Sequence, residues 1–428
     1  PPSPMEPTPD TRARRLDVGV AWNLASLAIL GLSGFLMLAL IERCYDAETL
    51  GRFQLVWGVY VVLSQLGVGG LDRSVLRAVS QAQGSPAEVR RLAWGALAPG
   101  LALSAAVALT LVFLRGTFAA WQGSAELADM ALYAAPGLFC FSVNKILLGV
   151  VNGLERMRAF AVYQSLRYLG MPVGVWLCSA GGLPGSRVTL LFAFAEGLLL
   201  LVLALEFLST VGPPVRAAIG ASPAHLRFGL RGLLAGVVLE LNTRLDVIML
   251  GRFLTEDAPV GIYSLAVAVA EGVFQVLTVL QNNYNPLLAQ GLVGDRSGLP
   301  ALIRRGRRQG FWLLTGLGAV AVLGYPLGAD LLMGDPAYRA GWLPFGLLIA
   351  GIVSAAAWLP FGQILLMGNR PTLHSAYMLS ILAVNVLGNA LLIPRLGLAG
   401  AALGTAISLA WSAQALRWLA RRALGTAL

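Results

Sequence analysis

A chain of 428 residues that is 57% hydrophobic and only 12% charged is not an ordinary soluble protein, in which about a quarter of residues carry charge. Its mean hydropathy of +0.73 and its long apolar runs describe a polytopic membrane protein. The net charge of +10 is almost all arginine, Lys145 being the one lysine, and it sits in loops between apolar runs, so topology accounts for it and nucleic acid is not a predicted partner.

Residues 1–16 are Pro-rich and basic and read as a short disordered tail. The apolar run after them lacks a small-residue cleavage site and is predicted to be a retained first span. Twelve helical spans are predicted near 18–41, 53–72, 93–114, 129–151, 159–180, 188–209, 228–250, 259–287, 310–331, 341–367, 372–393 and 397–416. With the amino terminus inside, 22 arginines fall on inner segments, Arg167 counted among them, and seven on outer ones. That bias predicts cytoplasmic termini. The predicted organisation is a tail (1–16), a six-helix lobe (17–209), a cytoplasmic linker (210–227) and a second six-helix lobe (228–428).

The loops are too short for a soluble domain, and no GxxxxGK[ST] motif occurs, so energy for any transport comes from a gradient or a partner. Cys44, Cys140 and Cys178, with His225 and His374, share no ligand spacing, which speaks against a zinc site or a Cys/His nucleophile. No loop carries a paired-carboxylate metal site, and no enzyme is predicted. Cys44 and Cys178 fall near one predicted face, which leaves a disulfide open.

The polar content of the spans is the functional signal. The seventh holds Glu240, Asn242, Thr243, Arg244 and Asp246. The eighth holds Glu271, Gln275, Thr278, Asn282 and Asn285, spaced by four, three, four and three, hence on one helical face. Ionisable groups facing lipid cost several kcal/mol, so these face protein or water, as a structural seam or as the wall of a translocation path. The spacing pairs Arg244 with Glu240 and Asn242 with Asp246, one turn apart. Glu271 and Glu196 have no nearby cation in sequence and read as unpaired carboxylates suited to proton coupling. Lys145 lies inside the fourth span beside Asn144, as a snorkelling anchor or as a ligand. Arg73 and Arg77, one turn apart at the inner end of the second span, read as anchors or as phosphate ligands. Asn385 and Asn389 in the eleventh span pack as amides or supply oxygen to a hard cation. Pro360 is predicted to kink the tenth span beside Gln363. Trp57, Tyr60 and Trp358 are packing aromatics or sugar platforms.

An internal repeat appears at an offset of 210 residues: Asp46–Phe53 matches Glu256–Tyr263, with Gly51 on Gly261 and Phe53 on Tyr263. Six spans precede the linker and six follow it, as in transporters built from two parallel bundles.

Four stretches carry a family resemblance over nearly the whole chain: Ala47-Glu-Thr-Leu-Gly-Arg-Phe53, Leu66-Gly-Val-Gly-Gly-Leu-Asp-Arg73-Ser-Val-Leu-Arg77, Gly149-Val-Val-Asn-Gly-Leu-Glu-Arg-Met-Arg-Ala-Phe160 and Arg244-Leu-Asp246-Val-Ile-Met-Leu-Gly-Arg-Phe253. In this order they resemble the polysaccharide-transporter branch of the multidrug/oligosaccharidyl-lipid/polysaccharide (MOP) exporter superfamily, the Wzx-like O-antigen and exopolysaccharide flippases. The resemblance implies an all-α MATE-like fold of about twelve transmembrane helices in two six-helix lobes around a central cavity. It implies alternating access in a bacterial inner membrane, with an undecaprenyl-pyrophosphate-linked oligosaccharide as substrate, membrane lipids around it, and a polysaccharide polymerase and ligase as partners. On that reading Arg73, Arg77, Asn144, Lys145, Arg244, Gln275 and Asn282 serve the substrate. Glu240, Asp246, Glu271, Asn385, Asn389 and Glu196 serve a coupling H+ or Na+, the one cofactor-like species expected. A multidrug or metabolite cation antiporter of the same fold, or a scaffold for polysaccharide synthases, are the competing readings.

Overall fold

The computed structural model describes residues 29–82, 84–293 and 298–428, without the side chains of Asn282 and Val293. The tail 1–16, the start of the first span, Arg296 and the Asn282 side chain thus lie outside the described residues. The described residues are helices and short connections with no strand, as expected where apolar surroundings force every backbone group to pair within its own segment.

In chain order the helices are α1 (29–44), α2 (Ala47–Val68), α3 (Leu71–Gln81), α4 (Pro86–Gln122), α5 (Glu126–Gly153), α6 (Met157–Ala180) and α7 (Leu190–Thr210). Then follow α8 (Ser222–Phe253), α9 (Ala258–Val293), α10 (Leu299–Met333), α11 (Trp342–Ala355), α12 (Ile364–Met367), α13 (Pro371–Leu396) and α14 (Leu398–Leu424). Among the described residues seven helices are long and apolar enough to cross a membrane, and α2 with α3, bent by 45°, makes an eighth. The helices α6, α8 and α14, of 24, 32 and 27 residues, are also long enough to cross. Their extra polarity is that of the residues taken up below.

The chain forms two compact units. One contains Pro1–Leu40, Leu63–Gly116 and Ala128–Leu234. Its second span turns sharply at Gly69 and Gly70, whose φ values of 58° and 70° suit glycine. A Cβ on Gly70 would also meet the Gly229 carbonyl oxygen at 2.6 Å. Beyond the bend, α3 is amphipathic. Leu71, Val75 and Val79 are buried, against a groove that Gly149 and Gly153 of α5 leave open, and Arg73 and Arg77 point the other way, exposed. The segment predicted as the linker 210–227 is ordered from Arg216 by a 3-10 turn that runs into α8 at Ser222. Buried His225 there meets Ser74 Oγ at 2.8 Å through Nδ1, and burial pushes its pKa below the ordinary histidine value.

The second unit contains Ile41–Val62, Thr117–Leu127 and Ala235–Leu428. Here the two repeat motifs meet. The Gly51 and Gly261 backbones lie face to face: a Cβ on Gly261 would meet the Ala47 carbonyl oxygen at 2.6 Å, and one on Gly51 would strike the Asp257 carbonyl oxygen. Phe53 and Tyr263, the repeat's aromatics, are fully buried. Arg52 stands beside this contact and ties three turns together, reaching Glu48 at 2.6 Å, Glu126 at 2.7 Å and Asp257 at 2.8 Å. Ser124 Oγ donates to the same Asp257 carboxylate. Replacing Arg52 by alanine leaves half-buried Asp257 without its cation beside two more carboxylates. We expect about 1–3 kcal/mol of lost stability, read as earlier thermal unfolding of the purified protein, with Glu48→Ala near neutral because that pair is exposed.

One sequence expectation fails here. The tenth span is not continuous: α11 stops at Ala355, a 3-10 turn covers Leu359–Phe361, and α12 holds four residues. Pro360 has no N–H to continue the ladder, and the turn that replaces it is braced from α9, where Gln281 Nε2 donates at 2.7 Å to the Leu359 carbonyl, which also accepts from the Gly362 N–H. The open disulfide closes as none: Cys44 is free and exposed, and Cys178 is free and buried.

Candidate functional sites within the spans

In the first unit the polar residues of α5, α6 and α7 meet around one ring. Arg167 of α6 is 4% exposed and lies 2.8 Å from the Glu196 carboxylate on α7, itself fully buried. Asn144 of α5, also fully buried, donates both to the Glu196 backbone carbonyl and to Glu196 Oε2 at 2.9 Å. The Phe141 ring carries Arg167 Cζ at 4.5 Å and Lys145 Nζ at 4.8 Å from its centroid. One ring thus meets two cations, one of them paired with the Glu196 carboxylate. Two expectations are corrected. Arg167 is no inner-end anchor, and Glu196 is not unpaired, because α6 brings a guanidinium to it from 29 positions earlier. Asn144 spends its amide on Glu196, which orients the carboxylate, and Lys145 lies half-buried one residue on.

In the second unit Arg244 pairs with Glu271 of α9 at 3.4 Å. This corrects the unpaired reading of Glu271. Asn242 donates to the Val238 carbonyl at 3.1 Å and not to Asp246. Asp246 is 5% exposed. It accepts from Tyr263 Oη at 2.7 Å and from the Val247 N–H at 2.8 Å, with Thr405 Oγ1 of α14 at 3.5 Å. On α13, Asn389 Nδ2 donates to Asn385 Oδ1 at 2.6 Å, both side chains buried. Asn389 packs on Gly404, the neighbour of Thr405, and its buried Oδ1 has no hydrogen-bond donor among the described residues. The Asp246 carboxylate with the Thr405 hydroxyl, and the Asn389 amide oxygen against the next residue of α14, are oxygens of the kind a hard cation takes. Among the described residues no three His, Cys, Asp or Glu side chains converge.

The α9 stripe divides in function. Asn285 donates to Gln363 at 3.1 Å, so its lower end braces the broken tenth span. Gln275 and Thr278 are exposed, and exposed amides and hydroxyls within a span need water beside them. Glu240 is half-buried near Glu271. Arg73 and Arg77 lie exposed on α3, Arg77 over the Phe228 ring at 5.5 Å. Trp57 and Tyr60 stack on one another at 5.5 Å. Arg167, Tyr263 and Thr405 are the members that sequence reading missed. Each sits on a helix distant in sequence from its partner, and only the burial of Arg167 within a predicted span was a usable signal.

The fold finds counterparts among known proteins. Residues 18–291 match the family described as polysaccharide biosynthesis protein. No curated protein matches by sequence. Among solved structures, a multidrug resistance MATE family transporter of the MOP superfamily is similar with a TM-score of 0.78 at 15% identity, covering 94% of this chain and 98% of that one. The lipid II flippase MurJ is similar with a TM-score of 0.76 at 11% identity, covering 94% and 87%. A Vibrio cholerae MATE transporter, VcmN in a point-mutant form, follows with a TM-score of 0.63 at 15% identity, covering 96% and 97%. At these identities the likeness is one of fold, the all-α MATE-like fold that the motifs implied.

Proposed function

The chain belongs to the polysaccharide biosynthesis protein family of multi-pass membrane transporters and flippases, and from that premise we propose that it moves an undecaprenyl-pyrophosphate-linked oligosaccharide from the inner to the outer leaflet of a bacterial inner membrane. The cycle is alternating access between an amino-terminal lobe (17–209) and a carboxy-terminal lobe (228–428), both termini cytoplasmic, with H+ or Na+ returning through the second lobe. A polysaccharide polymerase and a ligase receive the product.

The observation that carries this reading is the pair of cations gathered on the Phe141 ring in the first unit. A pyrophosphate wants basic groups, whereas a cationic drug wants acidic ones. Lys145 and Arg167 on one ring, with Glu196 beside Arg167, supply basic groups within the spans. In the second unit the Arg244–Glu271 pair is the element a substrate phosphate would compete with, since an anion that draws Arg244 away frees Glu271.

The test is genetic. Deletion in the host is expected to accumulate lipid-linked repeat units on the cytoplasmic side. Wild type on a plasmid clears them, while Lys145→Ala, Arg244→Ala and Glu271→Gln, expressed at wild-type levels, do not. Normal glycans together with sensitivity to cationic drugs would transfer the chain to the multidrug antiporters. Equal complementation by all three variants would favour a scaffold.

A further inference from the structure

The break in the tenth span places Trp358 where two arginines close on it. Arg307 of α10 lies with Cζ 5.3 Å from the ring centroid, and Arg417 of α14 with Cζ at 4.9 Å. The approach is built into the backbone. Gly306 and Gly310, one turn apart on α10, flank Arg307. A Cβ on the first would meet Phe361 at 2.7 Å, and on the second the Ala356 carbonyl oxygen at 2.6 Å. Bare α10 backbone therefore seats directly on the broken segment.

Two features separate this cluster from ordinary charged helix ends. Arg304, Arg305 and Arg308 on the same stretch are exposed, as membrane-flanking anchors are, while Arg307 and Arg417 are half-buried. Acidic residues are also sparse along these helices. Residues 336–428 contain no Asp or Glu at all, and Asp330 is the first acidic residue after Asp295. One indole face offsets part of the repulsion between two guanidinium groups. Trp358 Nε1 and Arg417 Nε are both buried and have no acceptor among the described residues, and buried donors left unpaired are costly. Two cations and two idle N–H groups at the end of a membrane helix bundle call for oxygens carrying negative charge.

We propose that Arg307, Trp358 and Arg417 form a binding site for the phosphate oxyanion of a membrane lipid, which the two guanidinium groups and the indole N–H engage together. The site rests on the flippase reading only for which lipid fills it: the polyprenyl-pyrophosphate carrier or the bulk anionic phospholipid.

Purified full-length protein is titrated with undecaprenyl pyrophosphate and, separately, with phosphatidylglycerol in nanodiscs. Arg307→Gln/Arg417→Gln is compared with Arg304→Gln/Arg308→Gln, which removes the same charge from exposed positions, and with Trp358→Phe, which keeps a ring and removes the donor. The first pair is expected to weaken binding of at least one lipid by roughly tenfold or more and Trp358→Phe by less, while the control pair stays within about twofold. Equal losses in both double variants, or none in either, overturn the site. Binding of the pyrophosphate carrier well above phosphatidylglycerol assigns the carrier. Binding of phosphatidylglycerol alone, with the same dependence on Arg307 and Arg417, keeps the site and counts against the flippase reading. Loss of carrier transport is then scored separately, so that the two conclusions fail independently.

Discussion

Arg167→Leu is expected to destabilise the protein by about 3–5 kcal/mol, the cost of stranding a buried carboxylate. Glu196 is fully buried, and its ionic partner is Arg167 at 2.8 Å. Asn144 donates to the carboxylate but brings no charge. The loss is read as a fall in thermal unfolding temperature in detergent. Arg167→Leu/Glu196→Leu should recover most of that loss, since apolar replacements of a whole buried pair are often neutral or stabilising. Arg167→Lys should fall between, because an ammonium keeps the charge but not the planar fork that meets both Glu196 and Gln164. If the single and double leucine variants unfold together, the pair is not what neutralises Glu196. Transport separates structure from function. A rescued double variant that still fails to clear lipid-linked glycans assigns the pair a role in the cycle beyond holding α6 to α7.

The same pair marks where sequence reading stops. Glu196, Lys145, Asp246, Glu271, Asn385 and Asn389 stand out because each interrupts an apolar run, and an apolar run is legible without neighbours. Their partners are not. Helical spacing compares a residue only with its own helix, so it could not find the ion pair that Arg244 makes across to Glu271 on α9. Arg167 was counted with the inner segments although it lies well inside the predicted span 159–180, because its partner Glu196 on α7 is out of reach of spacing along one helix. Pro360 signalled a kink in the tenth span. The full break depends also on Gln281 and Asn285 waiting across the interface to take up Leu359 and Gln363. The repeat fared best. Its glycines were matched by offset alone, and the structure sets them against one another, since close backbone approach is a demand that glycine advertises in sequence.

Asp246→Asn is expected to abolish ion-dependent stabilisation and transport while leaving the fold intact. The substitution is isosteric, and Tyr263 Oη, 2.7 Å away, can still donate to the remaining carbonyl oxygen. What disappears is the formal charge beside Thr405 and the undonated Asn389 oxygen. A cation that binds only the folded protein stabilises it by about 2.7 kcal/mol at a hundred times its Kd. Wild type should therefore unfold later in sodium chloride than in choline chloride of equal ionic strength. Asp246→Asn should show no difference, and Asn389→Ala a reduced one. Glu271→Gln serves as the counter-test, because Glu271 is held by Arg244 and lacks the neutral oxygens that replace a hydration shell. Should Glu271→Gln lose the sodium response and Asp246→Asn keep it, the coupling ion belongs at the Arg244 pair. Should neither variant nor wild type respond to sodium, with wild-type transport instead collapsing when the pH gradient is removed, the coupled species is the proton. Asp246 then acts as its carrier, and Asp246→Asn transports at one slow rate whether or not the gradient is present.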